Sequence, residues 1–486
     1  MATPLPPNQA AFTLAEILAA TGGQVVVPGA AAVTSISTDT RAVAGGACFV
    51  ALRGEVHDGH VHLTAAAEKG AALALVDRDI IAPPGLAVVR VPDTLVALGD
   101  LARVHARRWR ATGEGRKMVA ITGSAGKTTT RTAITALLEV ALGDAARIHS
   151  TRGNLNNRVG LPMVLFGLEP HHTVAVIEMG MNQAGEIAEL CRIAEPEIGV
   201  LTLIAAAHTE GLGSLEAVAD EKGGLLRALP QAGVAIGNGD DPRVLAQLER
   251  SRAGAHYRYG HAAGADRRIT RREPVGLSLS RVRVGDVDFT TPLLGEAGAL
   301  ACAAAIVVLE LALGGRASGE LCTRAFAGAD VGAGAGRLVP RIFAGDLAVI
   351  DDTYNANPAS TCASIRAAAE IAHATGRRLL LVLGEMRELG PLAEEGHDEV
   401  GRAAASSAAA AVFTVGGGAA SRIAARAAEG GLRAAHADRV EDVAALVRLD
   451  ARPGDLVLVK GSRSIGTERV VAALALPLDR GQGSTA

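Results

Sequence analysis

A buried strand that turns through two glycines into a helix restricts the fold of this chain more than any other feature. The apolar run Met118–Thr122 is followed by Gly-Ser-Ala-Gly-Lys-Thr-Thr-Thr at 123–130. Glycines let backbone N–H groups approach phosphate oxygens, and the helix N-terminus adds partial positive charge. In such a loop Lys127 reaches the β- and γ-phosphates, and the Thr128 hydroxyl is placed to ligate Mg²⁺. We therefore predict a phosphate-binding loop formed by Gly123, Ser124, Ala125, Gly126, Lys127, Thr128 and Thr129.

This loop is shorter than the general phosphate-binding pattern. The general pattern has a glycine at the position that Ile121 occupies here. A chance glycine turn is the alternative interpretation. The preceding strand, the lysine and the three consecutive threonines together favour phosphate binding.

Three further polar side chains follow predicted strands or lie in a nearby helix. Glu178 ends the strand predicted at 173–177. Ligands of open α/β sheets bind outside the carboxyl ends of the strands, so its carboxylate is placed to hold Mg²⁺. His208 follows the strand predicted at 198–204, and Lys222 lies in a polar helical run. Each also has an interpretation without function. Glu178 could be an acid of a surface loop, His208 a surface or core histidine, and Lys222 a solvated charge on a helix.

Two polar loops complete the candidate set. Asn154 and Asn157 belong to an asparagine-rich run that precedes a helix; such a run either serves the turn or donates to phosphate or carboxylate. The loop Asp-Asp-Thr-Tyr-Asn-Ala-Asn-Pro at 351–358 ends a strand predicted at 347–350. It is typical of a ribose or phosphate contact, or of a plain helix cap, and Arg337 upstream adds a cation.

The length of 486 residues predicts about three domains. Strands alternate with helices throughout, which predicts an α/β fold with a central parallel sheet and a C-terminal, Rossmann-like doubly wound sheet. The alternating run 281–289 predicts an antiparallel edge strand, and an apolar helix at 300–313 closes the middle segment. A Gly-Ala-Gly-Ala-Gly run at 332–336 is interpreted as a linker. The predicted domains are 1–110, 111–326 and 327–486.

Composition excludes several classes of protein. The 48 basic and 51 acidic residues give a net charge of −3, and only 7 Phe, 3 Tyr and 1 Trp are present. A nucleic-acid binder usually has a basic face or aromatic stacking platforms, so we expect this protein to have no nucleic-acid partner. Five scattered cysteines indicate reduced thiols in a cytoplasmic protein. The first residues lack a basic region, and no uninterrupted apolar stretch reaches the roughly 18 residues of a membrane span.

In this order, and over nearly the whole chain, the motifs resemble those of the Mur ligase family. Within the family, the runs Tyr-Asn-Ala-Asn-Pro at 354–358 and Gly-Glu-Met-Arg-Glu-Leu-Gly at 384–390 favour the dipeptide-adding branch. The segments that carry the resemblance are 37–41, 48–54, 58–60, 122–130, 153–162, 178–187, 208–219, 351–358, 383–390 and 460–463.

The resemblance implies a three-domain, monomeric amide ligase of cell-wall synthesis. The first domain would bind UDP-N-acetylmuramoyl-tripeptide, the second ATP, and the third would complete the ligase site. ATP would phosphorylate the peptide carboxylate, and the amine of D-alanyl-D-alanine would attack the acyl phosphate. Lys127 and metal ions would offset the repulsion between the carboxylate and the γ-phosphate.

The resemblance also assigns roles residue by residue. Lys127, Glu178, His208 and Lys222 would be catalytic, and Mg²⁺ would be held by Thr128, Glu178, His208 and Lys222. Lys222 would act as a carbamate, because carbamylation converts a cationic amine into an oxygen ligand. The nucleotide would also contact Arg337, Asp352 and Asn355. The substrate contacts would be Asp39, Arg41, Asn154, Asn157, Asn357, Lys460, Ser462 and Arg463.

The chain departs from the family pattern in two places. The family usually has Gly-x-His-Asn-x-x-Asn-Ala where this chain has Gly-Glu-Ala-Gly-Ala-Leu-Ala-Cys at 295–302, so the residues that would help to hold adenine are absent. Gly224 stands where an acid is usual. Two alternatives therefore stay open, a ligase similar to folylpolyglutamate synthase and a non-catalytic nucleotide-binding relative.

Overall fold

The computed structural model describes residues 3–54, 57–206, 209–329 and 336–476. His208 and most of the predicted linker at 332–336 lie outside the described residues. The described chain forms three large sheets in succession, with helices packed against their faces.

The first large sheet has five strands in the order β2-β7-β6-β5-β4, and its inner strands are parallel. A short antiparallel pair, β1 with β3, lies beside it. The elements of this part are β1 Phe12–Thr13, α1 Leu14–Thr21, β2 Gln24–Val27, β3 Ala32–Val33, β4 Ile36–Ser37, β5 Cys48–Val50, α2 Leu63–Glu68, β6 Leu73–Val76, β7 Ala87–Arg90 and α3 Thr94–Ala111.

The second sheet has nine strands in the order β16-β15-β14-β13-β12-β11-β8-β10-β9 and is parallel from β9 to β14. Its central strands are buried along their length, as expected for a parallel sheet that is covered on both faces. The elements are β8 Lys117–Thr122, α4 Lys127–Leu142, β9 Ile148–Ser150, α5 Gly160–Leu165, β10 Val174–Glu178, α6 Glu186–Ala194, β11 Ile198–Leu201, α7 Thr209–Leu212, α8 Leu215–Ala228, β12 Val234–Asn238, α9 Pro242–Glu249, β13 Ala255–Gly260, β14 Arg267–Val275, β15 Leu279–Val284, β16 Val287–Thr291, α10 Gly295–Leu313 and α11 Gly319–Ala327.

The third sheet has six strands in the order β17-β18-β22-β19-β20-β21, all parallel except β17. This arrangement confirms the predicted doubly wound sheet. The elements are β17 Val339–Phe343, β18 Leu347–Asp352, α12 Pro358–Thr375, β19 Leu379–Gly384, α13 Ala393–Ala405, β20 Ala411–Val415, α14 Gly418–Glu429, β21 Ala434–Ala437, α15 Val440–Asp450, β22 Leu456–Lys460 and α16 Glu468–Leu474.

The single edge strand predicted at 281–289 was wrong. The structure places an antiparallel hairpin there, in which β15 pairs with β16 from Ser280–Thr291 to Val284–Val287. Gly285 has a φ of +59° in the tight turn between the strands. The buried apolar positions change phase at the turn, from 282 and 284 to 287 and 289, and Gly285-Asp286 between them is the local signal that the single-strand prediction overlooked.

Helix α10 combines the length and the apolar composition of a membrane span. It has 19 residues and a mean hydropathy of 2.0 in its most apolar window, although Glu296 and Glu310 keep its uninterrupted apolar run shorter than the roughly 18 residues of a membrane span. The share of that window buried inside the protein is 61%. The helix joins α4 and the strands of the second sheet in one apolar cluster, as a core helix of a globular domain does.

Two histidine rings beside the second sheet make the stability of the protein depend on pH. The ring centroids of His149 and His172 lie 4.9 Å apart, and His149 Nε2 donates to the Val164 carbonyl at 2.7 Å. Burial lowers the pKa of each imidazole from 6.5 to about 4, so both rings are neutral in the folded protein. The unfolded chain binds protons at these rings below pH 6.5, so their contribution to stability is complete above that pH and is lost as the pH falls towards 4.

We expect the thermal unfolding midpoint to fall between pH 7 and pH 5, by an amount that reflects on the order of 1–2 kcal/mol per ring. The double variant His149→Gln/His172→Gln tests the cause, since it removes both titrating groups. Its midpoint should vary less between these two pH values than that of the parent protein. An equal dependence in both proteins would contradict the assignment.

Candidate active site

The predicted phosphate-binding loop has the backbone that a phosphate needs. Gly123 has a φ of +151°, and a Cβ atom there would lie 2.0 Å from Thr202 Oγ1, so only glycine fits. Gly126 has a φ of +84° and precedes the first residue of α4. Lys127 Nζ donates to the Gly123 carbonyl at 2.7 Å and therefore lies over the loop. Burial lowers the pKa of Lys127, whereas the charge of Glu178 opposes this shift.

Glu178 ends β10 next to this loop, as the sequence predicted. Glu178 is only 1% exposed, and its two carboxylate oxygens have different partners. Oε1 accepts from Arg131 Nε at 2.7 Å, and Oε2 accepts from the Thr128 hydroxyl at 3.2 Å. The buried carboxylate is therefore flanked by one permanent cation and by the hydroxyl that was predicted to ligate Mg²⁺.

Lys222 lies in α8 and is completely buried. Its Nζ has no hydrogen-bond partner among the described residues. The neighbouring Glu221 is already occupied, because its carboxylate accepts from the backbone N–H groups of Gly185 and Ile187 at 2.8 Å each. Burial, with a smaller effect of the Lys127 charge, places the pKa of Lys222 well below its ordinary value of 10.5. A buried amine without a partner is a costly arrangement that calls for a chemical explanation.

The two predicted asparagines are both exposed and differ in their hydrogen bonds. Asn157 Oδ1 accepts from the backbone of Gly160 at 2.8 Å and so fixes the first turn of α5. Asn154 Oδ1 accepts from the Thr3 hydroxyl at 2.8 Å and is exposed. Both side chains line the same cleft as the phosphate-binding loop.

The loop after β18 reaches across to the phosphate-binding loop. Asn357 caps α12, and its Nδ2 donates to the Ser124 carbonyl at 3.3 Å. The guanidinium of Arg337 stacks 3.9 Å from the ring centroid of Tyr354, and Arg463 lies 5.8 Å from the same ring. Arg337 Nε is buried without a partner among the described residues. The loops of the third sheet therefore place Arg337 and Arg463 beside the second sheet.

Asp352 and Lys460 form a buried ion pair at the carboxyl ends of β18 and β22. Lys460 Nζ lies 2.6 Å from Asp352 Oδ2 and 3.0 Å from the Asn355 carbonyl. The same carboxylate oxygen accepts from the Ser364 hydroxyl at 2.6 Å. In this structure both residues hold the loop that carries Asn355, and they also line the cleft.

Breaking this ion pair should destabilise the third sheet. Removal of one partner from a buried pair leaves an uncompensated charge and costs about 3–5 kcal/mol. We expect Lys460→Met and Asp352→Asn each to lower a thermal unfolding transition by on the order of 10 °C. The double variant should lose less than the sum of the two. Strict additivity of the two losses would contradict a direct pairing.

Ser462 and the predicted uridine contacts lie elsewhere. The Ser462 hydroxyl accepts from the backbone N–H of Arg387 at 2.9 Å, which joins two loops of the third sheet. Asp39 accepts from the backbone N–H and the guanidinium of Arg41, and the hydrogen bond from that guanidinium lowers the pKa of the carboxyl. These three predicted residues are not part of the lining of the described cleft.

One cleft of about 1100 Å³ collects most of the predicted site. It is lined by residues that follow β8, β9 and β10, by the start of α10, and by the loops of the third sheet. The predicted site residues that line it are Ser124, Ala125, Gly126, Lys127, Thr128, Thr129, Asn154, Asn157, Glu178, Arg337, Asp352, Asn355, Asn357, Lys460 and Arg463.

The segment that departs from the family pattern also lines this cleft. Glu296, in the first turn of α10, pairs with His261 Nε2 at 2.7 Å and with Arg272 Nε at 3.0 Å. Arg272 also donates to Glu370 of α12 at 2.8 Å, the one ion pair between the second and third sheets within the described residues. Sequence reasoning missed this network and Arg131. Of these residues, only Arg131 could have been recognised from the sequence as a site residue, because it lies one helical turn after Thr128.

Family models match most of the chain in three consecutive pieces. The Mur ligase family, catalytic domain model matches residues 32–106. The Mur ligase middle domain matches residues 121–309, and the Mur ligase, glutamate ligase domain matches residues 336–463.

Curated relatives match over nearly the full length. The UDP-N-acetylmuramoyl-tripeptide--D-alanyl-D-alanine ligase of Bacillus subtilis is 34% identical over 448 residues, which are 90% of this chain and 92% of that protein. The ligase of the same name from Escherichia coli is 34% identical over 450 residues, covering 90% of this chain and 93% of its own.

Solved structures agree with these matches. The crystal structure of MurF from Acinetobacter baumannii has a TM-score of 0.82 and 29% identity, and the alignment covers 97% of this chain and all of that one. MurF ligase from Thermotoga maritima, in complex with ADP, has a TM-score of 0.77 and 25% identity, with coverages of 91% and 97%. Three consecutive domain matches, full-length relatives and one shared architecture lead to a single conclusion: this chain belongs to the Mur ligase family.

Proposed function

We propose that this protein is the ATP-dependent ligase that adds D-alanyl-D-alanine to UDP-N-acetylmuramoyl-tripeptide and so forms the pentapeptide precursor of peptidoglycan. The observation that carries the proposal is the shared cleft. In it a phosphate-binding loop and a buried carboxylate face the loop at 351–358, within a chain that aligns over 90% of its length with D-alanyl-D-alanine-adding ligases.

The reaction joins a carboxylate to an amine in two steps. A peptide carboxylate oxygen attacks the γ-phosphorus of ATP, and the bond from that phosphorus to ADP breaks. The amine nitrogen of the dipeptide then attacks the acyl carbon, phosphate leaves, and the nitrogen loses its proton. The first step brings two anions together, and the second places negative charge on the acyl oxygen and on the departing phosphate, so the site must supply fixed positive charge.

The residues of this chain meet that demand from two sides. Lys127 lies over the loop that would hold the phosphates, and the backbone N–H groups at the start of α4 point towards the same space. Arg337 and Arg463 approach from the third sheet beside Tyr354. We propose that Arg337, Asp352 and Asn355 border the nucleotide, and that Asn154, Asn157, Asn357, Lys460 and Arg463 border the peptides. Ser462, which does not line the cleft, would act by fixing the loop that carries Arg463.

The residues also fit a divalent cation. Thr128 and Glu178 offer adjacent oxygens, and the orphaned amine of Lys222 fits a carbamate, because carbamylation converts it into a charged oxygen donor. We propose that these three residues and His208 hold Mg²⁺. When bound, Mg²⁺ neutralises phosphate charge during transfer.

We further propose the division of labour that the resemblance implies. Residues 1–110 would bind the uridine nucleotide, with Asp39 and Arg41 at the uridine end. Residues 111–326 would bind ATP, and residues 327–486 would complete the ligase site. The protein would act as a monomer in the cytoplasm, without a membrane span or a nucleic-acid partner.

Phosphate release tests the proposal directly. The purified protein is given ATP, Mg²⁺ and UDP-N-acetylmuramoyl-tripeptide, with and without D-alanyl-D-alanine, and the product is weighed by mass spectrometry. We expect release that requires both substrates and a product heavier by one dipeptide. Release with folate and glutamate instead would indicate the folylpolyglutamate alternative. Nucleotide binding without any release would indicate a non-catalytic relative and would direct attention to the segment 295–302.

A further inference from the structure

Arg131 is a largely enclosed cation of the cleft to which neither the sequence nor the family resemblance gave a role. It lies on α4, one helical turn after Thr128, and its side chain is 16% exposed. Its Nε donates to Glu178 Oε1 at 2.7 Å. Arg131 therefore contacts the one carboxylate that was predicted to ligate a metal, and it does so from the helix that follows the phosphate-binding loop.

The contacts of Glu178 leave one of its oxygens for another ligand. Arg131 occupies Oε1 with a short, charge-assisted hydrogen bond. Among the residues that the structure describes, Oε2 has only the longer contact of 3.2 Å from the Thr128 hydroxyl. The backbone N–H of Glu178 donates to the Thr151 hydroxyl at 2.9 Å, so the residue is fixed at both ends. The carboxylate therefore presents Oε2 towards Thr128 and the phosphate-binding loop.

Arg131 also determines what Lys127 is free to do. Glu178 is buried, and a buried carboxylate requires a cationic partner or a set of hydrogen bonds. Because Arg131 fulfils that requirement, Lys127 Nζ is left to bond to the Gly123 carbonyl over the loop. Lys127 already interacts electrostatically with Glu178, so without Arg131 it would be drawn towards the uncompensated carboxylate and away from the phosphates.

We propose that Arg131 is a positioning residue, which holds Glu178 so that Oε2, beside Thr128, is the oxygen presented to the divalent cation. The inference rests on the proposed function for the identity of the metal ligands. Guanidinium suits the task because it stays charged and its donors point in fixed directions, whereas an ammonium is a mobile point charge. Groups that orient a metal ligand typically change metal affinity by 10–100-fold when they are removed.

The competing interpretation is purely structural, in which the ion pair only fastens α4 to β10. Metal affinity separates the two interpretations. The full-length protein is titrated with Mn²⁺ in the presence of ADP, and free Mn²⁺ is measured by electron paramagnetic resonance. We expect Arg131→Met to weaken Mn²⁺ binding by about 10–100-fold and Arg131→Lys to weaken it less. The Mg²⁺ concentration that gives half-maximal phosphate release should shift in the same order.

A matched control is available where α3 packs against the second sheet's part of the chain. Arg110 is similarly buried, with a side chain that is 19% exposed, and its Nε donates to Glu197 at 2.8 Å outside the cleft. Arg110→Met should lower the thermal midpoint without changing Mn²⁺ affinity. If Arg131→Met behaves in this way as well, the proposal is wrong. Should Arg131→Met fail to fold, Arg131→Lys is decisive, and unchanged Mn²⁺ affinity in that variant overturns the proposal.

The same titration separates this inference from the proposed function. If the unaltered protein binds Mn²⁺ with ADP but releases no phosphate, the ligase function fails, and the comparison of Arg131 variants still stands. If the unaltered protein binds no Mn²⁺ in the presence of ADP, the inference is overturned, whatever the reaction proves to be.

Discussion

Lys127→Ala is expected to lower ATP-dependent phosphate release by about three orders of magnitude or more. Lys127 Nζ lies 2.7 Å from the Gly123 carbonyl, at the centre of the turn that would surround the β- and γ-phosphates. Charge develops on the transferred phosphoryl group, and a cation fixed in a water-poor site stabilises that charge far more than water does. The measurement is phosphate release at saturating tripeptide and dipeptide.

The fold should survive this substitution. The Lys127 ammonium is buried, which lowers its pKa, so its loss removes a desolvated charge rather than an apolar contact. We expect the thermal midpoint to stay within a few degrees of that of the parent protein. Lys117→Ala is the control. Lys117 is the first residue of β8, the strand that leads into the phosphate-binding loop, and so lies at the end of that strand opposite the loop. Near-normal turnover in the Lys127 variant would contradict the phosphate-loop assignment.

Sequence reasoning located the parts of the cleft that are built from neighbours along the chain. The glycines, the lysine and the threonines of 123–130 are contiguous, and the strand before them identifies the edge of the sheet that they occupy. Glu178 was predicted for the same reason, since it directly follows a buried apolar strand. In both cases a local pattern determines the backbone, and the backbone determines where the side chain lies.

The missed contacts join residues that are distant in sequence. Arg131 meets Glu178 across 47 positions, Arg272 meets Glu370 across 98, and Lys460 meets Asp352 across 108. No local pattern reports such a pair, because its geometry depends on how sheets and domains pack. Asp352 and Lys460 were predicted as ligand contacts, and the structure adds that they form a buried ion pair.

The fully buried amine of Lys222 leads to the second large effect, a loss of activity that small carboxylates should partly reverse. We expect Lys222→Ala to lower phosphate release by at least about 100-fold, as loss of a metal-binding group does. Its Nζ has no partner among the described residues, and burial favours the neutral amine, which is the form that reacts with carbon dioxide. The nitrogen would bond to the carbon of carbon dioxide and lose one proton, which leaves a carbamate anion.

Carbon-13 NMR of the protein equilibrated with labelled bicarbonate should show one carbamate signal that is absent from Lys222→Ala. Acetate or formate should restore part of the activity of Lys222→Ala, because a free carboxylate fits the space that the shortened side chain leaves and supplies the missing oxygens. The same salts should do nothing for Lys127→Ala, which lacks a cation rather than an anion. No carbamate signal together with no restoration would show that Lys222 acts as an amine, and the metal would then depend on Thr128, Glu178 and His208 alone.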